Sequence, residues 1–282
     1  MNDIKRVTMH SEVRGEGMPL LAIHGWGVDH RLMSGCLEPV FERASLPVRR
    51  HYVDLPGMGK TSGSDLISGS DDMVEILENY IDANFPDTPF LLVGESYGGY
   101  LSRELIRRRK RMVRGLFLIC TAFRPFIMTD VGMDKGDVPE HRVVEEDEAF
   151  MATLSEKNRR SFEFMAVRKT RDAWERYERD VLPGIEAADP DFLSRRLSLY
   201  PQLSIDPDVI GAPFEGPTLI VAGRQDSTAG YRGIWSVLEN FPRATFAVLD
   251  GAGHNLQVEQ VPLFESLAGE WLDRVGLERA SQ

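Results

Sequence analysis

The stretch LLVGESYGGY, residues 91–100, sets Ser96 between Gly94 and Gly98, after an apolar run and before a helix-like pattern. A serine hydroxyl is a weak nucleophile. It attacks a carbonyl only when a base takes its proton and fixed donors hold the developing oxyanion. The spacing G-x-S-x-G says little alone: with 18 serines and 25 glycines in 282 residues, roughly one such chain in seven matches by chance. Its placement says more. At a strand-to-helix boundary a sharp turn strains the serine backbone and lifts Oγ above the sheet. Flanking glycines let strand and helix approach closely, and the helix N-terminus directs partial positive charge at the site. Two later segments offer partners: GRQD puts Asp226 just after the run PTLIVAG, and DGAGH puts His254 just after ATFAVL. The early segment HGWG follows another such run, PLLAI.

These residues converge only if the elements carrying them share one sheet. PLLAIHG, VRRHYVDLPG, FLLVGES and VRGLFLICTA read as buried strands. Helical patterns over 31–43, 71–85 and 97–110 separate them. Such alternation, with near-continuous apolar strands, predicts a mostly parallel sheet covered by helices on both faces. The carboxyl ends of parallel strands lie along one edge, where ligands bind. The alternation stops near residue 123 and resumes near 213 with PTLIVAGRQD, a helix over 231–240, the strand ATFAVLDGAGH and a last helix over 256–275. Between them the pattern is helical, over 140–154, 156–169, 172–182 and 190–200. Ser155, Thr170 and Asp189 suit N-caps, and Pro190 suits a first helical position. Residues 1–123 and 213–282 therefore read as one core, and 124–212 as an insertion.

A net charge of −11 argues against a general affinity for nucleic acid or anionic membranes. The basic run RRRKRMVR, 107–114, reads as a solvated helix end, and EEDE, 145–148, as a solvated helix face. GMGKT, 57–61, falls short of a phosphate loop, because the position that needs the first glycine is Asp54. The N-terminus has no apolar run of signal-peptide type, and no mid-chain run could span a bilayer. Two cysteines, Cys36 and Cys120, make no disulfide framework, so a cytoplasmic protein is expected. The expected partner is a small-molecule substrate, with the chain acting as monomer or homodimer.

Taken in order, HGWG, DLPGMGKT, GESYGG, GRQD and GAGH resemble the α/β-hydrolases, in the capped group of esterases, lactonases, C–C bond hydrolases and prolyl iminopeptidases. The resemblance covers nearly the whole chain. It implies an α/β-hydrolase fold, a catalytic triad of Ser96, His254 and Asp226, an oxyanion hole made by the backbone N–H groups of Trp26 and Tyr97, and a helical cap over the site at 124–212. A serine, rather than an aspartate, at the elbow points to acyl transfer without metal or organic cofactor. His24 reads as an organiser of the oxyanion loop. Asp250, a rival acid, lies on the same segment as His254. Phe123, Phe126, Met128, Phe162, Phe164, Met165 and Trp174 are the candidate substrate-binding residues. A small carboxylic ester or lactone is the first choice of substrate. The alternatives are an aminopeptidase that would use the acidic Glu145, Glu146 and Glu148, a C–C hydrolase, and a non-catalytic ligand receptor on the same fold. If His254 is the base, its ordinary range predicts activity rising with pH through ~6–7.

Overall fold

The computed structural model describes residue 4 and residues 7–123, 138–194 and 202–280. In chain order the elements begin with β1 (Ser11–Arg14), β2 (Met18–Ile23), α1 (His30–Phe41), β3 (Val48–Val53), α2 (Ser70–Asn84), β4 (Phe90–Glu95), α3 (Ser96–Arg109) and β5 (Val113–Ile119). The insertion carries β6 (Glu145–Glu146), α4 (Glu148–Met151), α5 (Glu156–Glu163), β7 (Arg168–Lys169), α6 (Arg171–Asp180), α7 (Leu182–Ala187) and α8 (Pro190–Phe192). The chain closes with β8 (Thr218–Gly223), α9 (Arg232–Trp235), β9 (Ala244–Leu249), α10 (Leu256–Glu259) and α11 (Val261–Ala280).

Seven strands form one sheet in the order β1-β3-β2-β4-β5-β8-β9. All neighbours are parallel except β1, which pairs antiparallel with β3 at the edge. The apolar strands are near-continuous because alternate residues fill two different cores. Leu21, Ile23, Leu92, Leu116, Leu118 and Ile220 pack with α2 and α3. Leu20, Ala22, Leu91, Val93, Phe117 and Leu219 pack with α1 and α11 on the other face. A period of two thus loads both faces with hydrophobic residues.

The expected strands and most of the core helices are present, but the helix expected over 231–240 is the single turn α9 followed by a 3-10 turn at Leu238–Asn240. Of the helix expected over 190–200, residues 195–200 lie outside the described ones. The other differences have local causes. β1 was not anticipated: SEVR has no apolar run, since one edge of this strand meets solvent. The helix expected over 140–154 is the short α4, because the Asp147 carboxylate accepts the Phe150 N–H and caps it there. EEDE is accordingly no helix face; Glu145 and Glu146 pair with β7 and form ion pairs with Arg168 and Lys169. The helix expected to reach residue 169 stops at Glu163 before β7. That over 172–182 divides into α6 and α7, where Pro183 at the start of α7 cannot continue the α6 hydrogen-bond ladder. The last helix divides at Gln260, before Pro262. Ser155, Thr170 and Asp189 cap α5, α6 and α8, and Pro190 opens α8. The basic run is an ion-pair lattice: Arg107 and Arg108 pair with Glu104 of their own helix, while Arg108 and Arg109 reach Glu78 of α2. Among the described residues no helix is long and apolar enough to cross a membrane, and Cys36 and Cys120 are free thiols.

Asp54, just beyond β3, joins the loops that approach the site. It accepts the His30 N–H and Lys60 N–H at 2.8 and 2.9 Å, and lies 2.8 Å from His30 Nδ1. A Cβ on Gly59, at φ 57°, would stand 2.4 Å from its carboxyl carbon, so the turn closes around the acid. Burial pushes this carboxyl up, yet the donors outweigh it and hold it at about 2. Its contribution to stability is therefore full above the unfolded value of ~3.9 and is lost as pH falls through the folded value. Asp54→Ala is expected to cost about 3 kcal/mol in denaturant unfolding at neutral pH, because buried donors lose their acceptor. Asp54→Asn should flatten the stability loss expected of the native chain between pH 4 and 2.

Candidate active site

β4 runs into α3 with no connecting loop, and Ser96 takes the turn at φ 49°, in the left-handed region. Only close approach of backbones permits this. A Cβ on Gly94 would lie 2.5 Å from the Gly98 carbonyl oxygen, and one on Gly98 would lie 2.2 Å from that of Ile23 in β2. The turn strain is thus held by contacts that any side chain at these glycines would break.

Asp226 and His254 come from the loops after β8 and β9, and these loops touch: a Cβ on Gly223 would stand 2.3 Å from the Gly253 carbonyl oxygen. Asp226 is fully buried and accepts the Thr228 and Ala229 N–H groups at 2.8 and 3.0 Å. Its oxygens lie 3.1 and 3.0 Å from His254 Nδ1, and His254 Nε2 lies 2.9 Å from Ser96 Oγ. The structure therefore brings the three residues together in one hydrogen-bonded chain across 158 residues of sequence. Burial works against ionising each group. For Asp226 it is outweighed by His254 and the two amides, which hold the carboxyl below its usual range. For His254 it is outweighed by Asp226, Glu95 and Glu259, which carry the imidazole up to about 9. The ordinary histidine range expected from sequence is thereby corrected upward; three acids surround this ring.

The HGWG loop lies against Ser96. A Cβ on Gly25 would be 3.0 Å from the Ser96 Cβ, and the Trp26 ring meets the Tyr97 ring edge-on, with centroids 5.4 Å apart. Trp26 and Tyr97 are thus neighbours beside Ser96. His24 organises this loop. Its Nε2 accepts the Leu55 N–H at 3.0 Å, so Nδ1 carries the proton and donates to the Gly25 carbonyl at 2.7 Å. Burial lowers the pKa of His24 and favours this neutral form. Asp250 sits on the surface beside Gln225, away from the chain of three.

The insertion docks on loops at the carboxyl edge of the sheet. A Cβ on Gly184 would meet the Asp29 nitrogen at 2.6 Å; one on Gly57 would meet the Phe192 ring at 2.1 Å; one on Gly253 would meet the Met165 carbonyl at 2.9 Å. Of the expected substrate-binding residues, Phe162 and Trp174 are buried with Tyr177, ring against ring, in a cluster that also takes in Val28, Leu32 of α1 and Val258 of α10. Phe164 is 74% exposed and projects to solvent. Phe123 packs on α9 and on the Arg103 guanidinium. Met165 is half-buried, with its carbonyl on Gly253. Phe126 and Met128 lie outside the described residues.

Two acids beside His254 escaped the sequence reading. Glu259 of α10 accepts the Gly253 N–H at 2.6 Å and the Val167 and Arg168 N–H groups at 2.7 and 3.2 Å, joining the insertion to the His254 loop. Burial raises its carboxyl to about 7. Glu95, the last residue of β4, is 2% exposed, with Oε1 3.6 Å from His254 Nε2. The available signal was position: an acid ending an otherwise apolar buried strand must find a partner.

A serine on a strained strand-to-helix turn, met by histidine and aspartate from later loops of a parallel sheet, is the arrangement of an α/β-hydrolase. A model of the alpha/beta hydrolase family matches residues 20–265, and the chain belongs to that family. It is 27% identical over 253 residues to a pimeloyl-[acyl-carrier protein] methyl ester esterase of Xanthomonas oryzae pv. oryzae, covering 87% of this chain and 91% of the relative. An esterase of the same name from Shewanella woodyi is 36% identical over 116 residues, a match that spans only 41% of this chain and 40% of the relative. Among solved structures, an alpha/beta superfamily hydrolase from Oenococcus oeni aligns with a TM-score of 0.84 at 24% identity, covering 95% of this chain and 96% of that one. A meta-cleavage product hydrolase from Pseudomonas fluorescens aligns at 0.62 and 22% identity, covering 95% of each.

The surrounding acids make a direct prediction. Followed by NMR of its ring protons, His254 should titrate well above ~6.5, the ordinary histidine value. Asp226→Asn should lower that midpoint by about one to three units, because an opposite charge in contact is removed. A native midpoint at or below the ordinary value would contradict the electrostatics described.

Proposed function

We propose that the chain is a serine esterase that cleaves a small carboxylic ester through an acyl-enzyme on Ser96. The observation that carries this reading is the hydrogen-bonded chain Ser96 Oγ, His254 Nε2, His254 Nδ1, Asp226 at the strained turn. Ser96 Oγ attacks the ester carbonyl carbon as its proton passes to His254 Nε2. The carbonyl oxygen becomes an oxyanion, held by the backbone N–H groups of Trp26 and Tyr97. The carbon–oxygen bond to the alcohol then breaks, and Nε2 returns the proton to the departing oxygen. Water attacks the acyl-serine in the same way, giving its proton to Nε2, and the carboxylic acid leaves as Ser96 is restored. Asp226 keeps Nδ1 protonated and balances the imidazolium.

Residues 124–212 act as a cap in this reading, supported by the docking of the insertion on the loops after β2, β3 and β9. The names of the relatives make a methyl ester of a carboxylic acid, free or carried on an acyl-carrier protein, the first substrate to try. Lactones stand second, since the same steps open a cyclic ester. The aminopeptidase reading loses support, because Glu145 and Glu146 already face Arg168 and Lys169.

Ser96→Ala should lower hydrolysis of p-nitrophenyl and methyl esters by about 10⁴-fold or more, with unfolding unchanged. His254→Ala should be of similar severity, because nucleophile and base act as a unit. Native-like turnover in Ser96→Ala would overturn the mechanism. Tight ligand binding with no turnover by the native chain would favour a receptor.

A further inference from the structure

The acid that ends β4 takes no part in the steps above, yet it is placed against their base. Glu95 Oε1 lies 3.6 Å from His254 Nε2, the same nitrogen that faces Ser96 Oγ at 2.9 Å. Its other oxygen, Oε2, occupies the space beside Gly25, where a Cβ would come within 2.2 Å of it. The glycine after His24 is thus needed for this carboxyl to reach the ring, and the Gly25 N–H favours its ionised form. Among the described residues, the ion-pair partner within reach of Glu95 is His254. A buried carboxylate without a fixed cation is costly, and that cost falls when a positive charge forms beside it.

Four groups face the imidazole from the surrounding elements. Asp226, after β8, is at Nδ1; Glu95, at the end of β4, is at Nε2; Glu259, of α10, acts from behind Gly253; and the Cys120 thiol lies beside Asp226. Burial pushes the Cys120 thiol well up, so it is neutral. The Nδ1 side alone therefore does not account for the electrostatics of the ring.

We propose that Glu95 is a second acid for His254: a positioning residue whose carboxylate stabilises the imidazolium from the Nε2 side while Asp226 does so from the Nδ1 side. This rests on the reading of Ser96 and His254 as nucleophile and base. Glu95 forms no bond to substrate and takes no proton. The serine proton still goes to Nε2, and Ser96 Oγ remains nearer to that nitrogen than Glu95 does. Burial raises the Glu95 carboxyl to about 7, which leaves it ionised over the range in which His254 loses its proton.

The test is Glu95→Gln, which keeps the shape and removes the charge. The His254 NMR midpoint is expected to fall by about one unit, and the acid limb of the kcat/KM profile to move down with it. The plateau kcat should fall by roughly tenfold, since the imidazolium loses a neighbouring charge. Glu95→Asp, which restores a carboxylate, should bring the midpoint back toward the native value. A residue that only packs the loop would lower activity and leave midpoint and limb in place, and that result overturns the proposal. Should the Gln variant not fold, the native protein decides: two coupled groups give His254 a second inflection as Glu95 titrates, and a single step refutes the pairing. The NMR readout needs no turnover. If the native chain hydrolyses no ester and Ser96 takes no fluorophosphonate, the esterase reading fails while the His254 titration still judges Glu95.

Discussion

The backbone turn at Ser96 is the constraint on which the rest of the structure depends. A non-glycine residue at φ 49° is held only where the surroundings leave it no alternative. Those surroundings are the core strands themselves: β2 stands against Gly98, β5 leads into Thr121 against Gly99, and β4 enters the turn fully buried. The parallel sheet thus does two things with the same strands. It fills two hydrophobic cores by alternation, and it delivers the turn after β4 and the loops after β2, β8 and β9 to one edge.

Around that fixed hydroxyl the chemistry is electrostatic. His254 is buried, which by itself favours the neutral ring, yet acids on several sides favour the charged one. Their placement decides which effect wins. Asp226 is satisfied by two amides before it meets the ring, so it stays ionised in a buried site. Glu259 spends its oxygens on amides from both the His254 loop and the insertion, so the loop that holds His254 and the segment docked on it share one acceptor. Movement of the insertion would therefore be felt at Gly253, next to His254.

Much of this was legible in the sequence, for identifiable reasons. The strands were readable because both faces of a parallel sheet are buried, so most wrote near-continuous apolar runs, with VRRHYV of β3 the exception. The order of Ser96, Asp226 and His254 was readable because each follows such a run directly. β1 was not, because an edge strand with partly exposed residues carries no such pattern. The helices of the insertion were readable at their caps and misjudged at their ends, where Asp147, Pro183 and the β6–β7 pairing set limits that helical periodicity does not encode. Phe164 and Trp174 show why an aromatic side chain does not announce its role. One faces solvent and the other is buried where the insertion packs against α1 and α10, and residue type is silent on which. Glu95 and Glu259 were hidden for a related reason: their partners are a ring and amides distant in sequence.

The central claim is that Ser96 carries the acyl group. Rapid acid quench of the protein during turnover of an activated ester, followed by intact mass and mapping of the peptide containing residues 91–103, tests it most directly. The account predicts that the chain gains the mass of the acyl group less one hydrogen, on Ser96, and that the adduct accumulates when Asp226 or His254 is altered to slow deacylation more than acylation. Turnover that proceeds with no adduct in the native chain or in those variants, or with the acyl group on another residue, would contradict it.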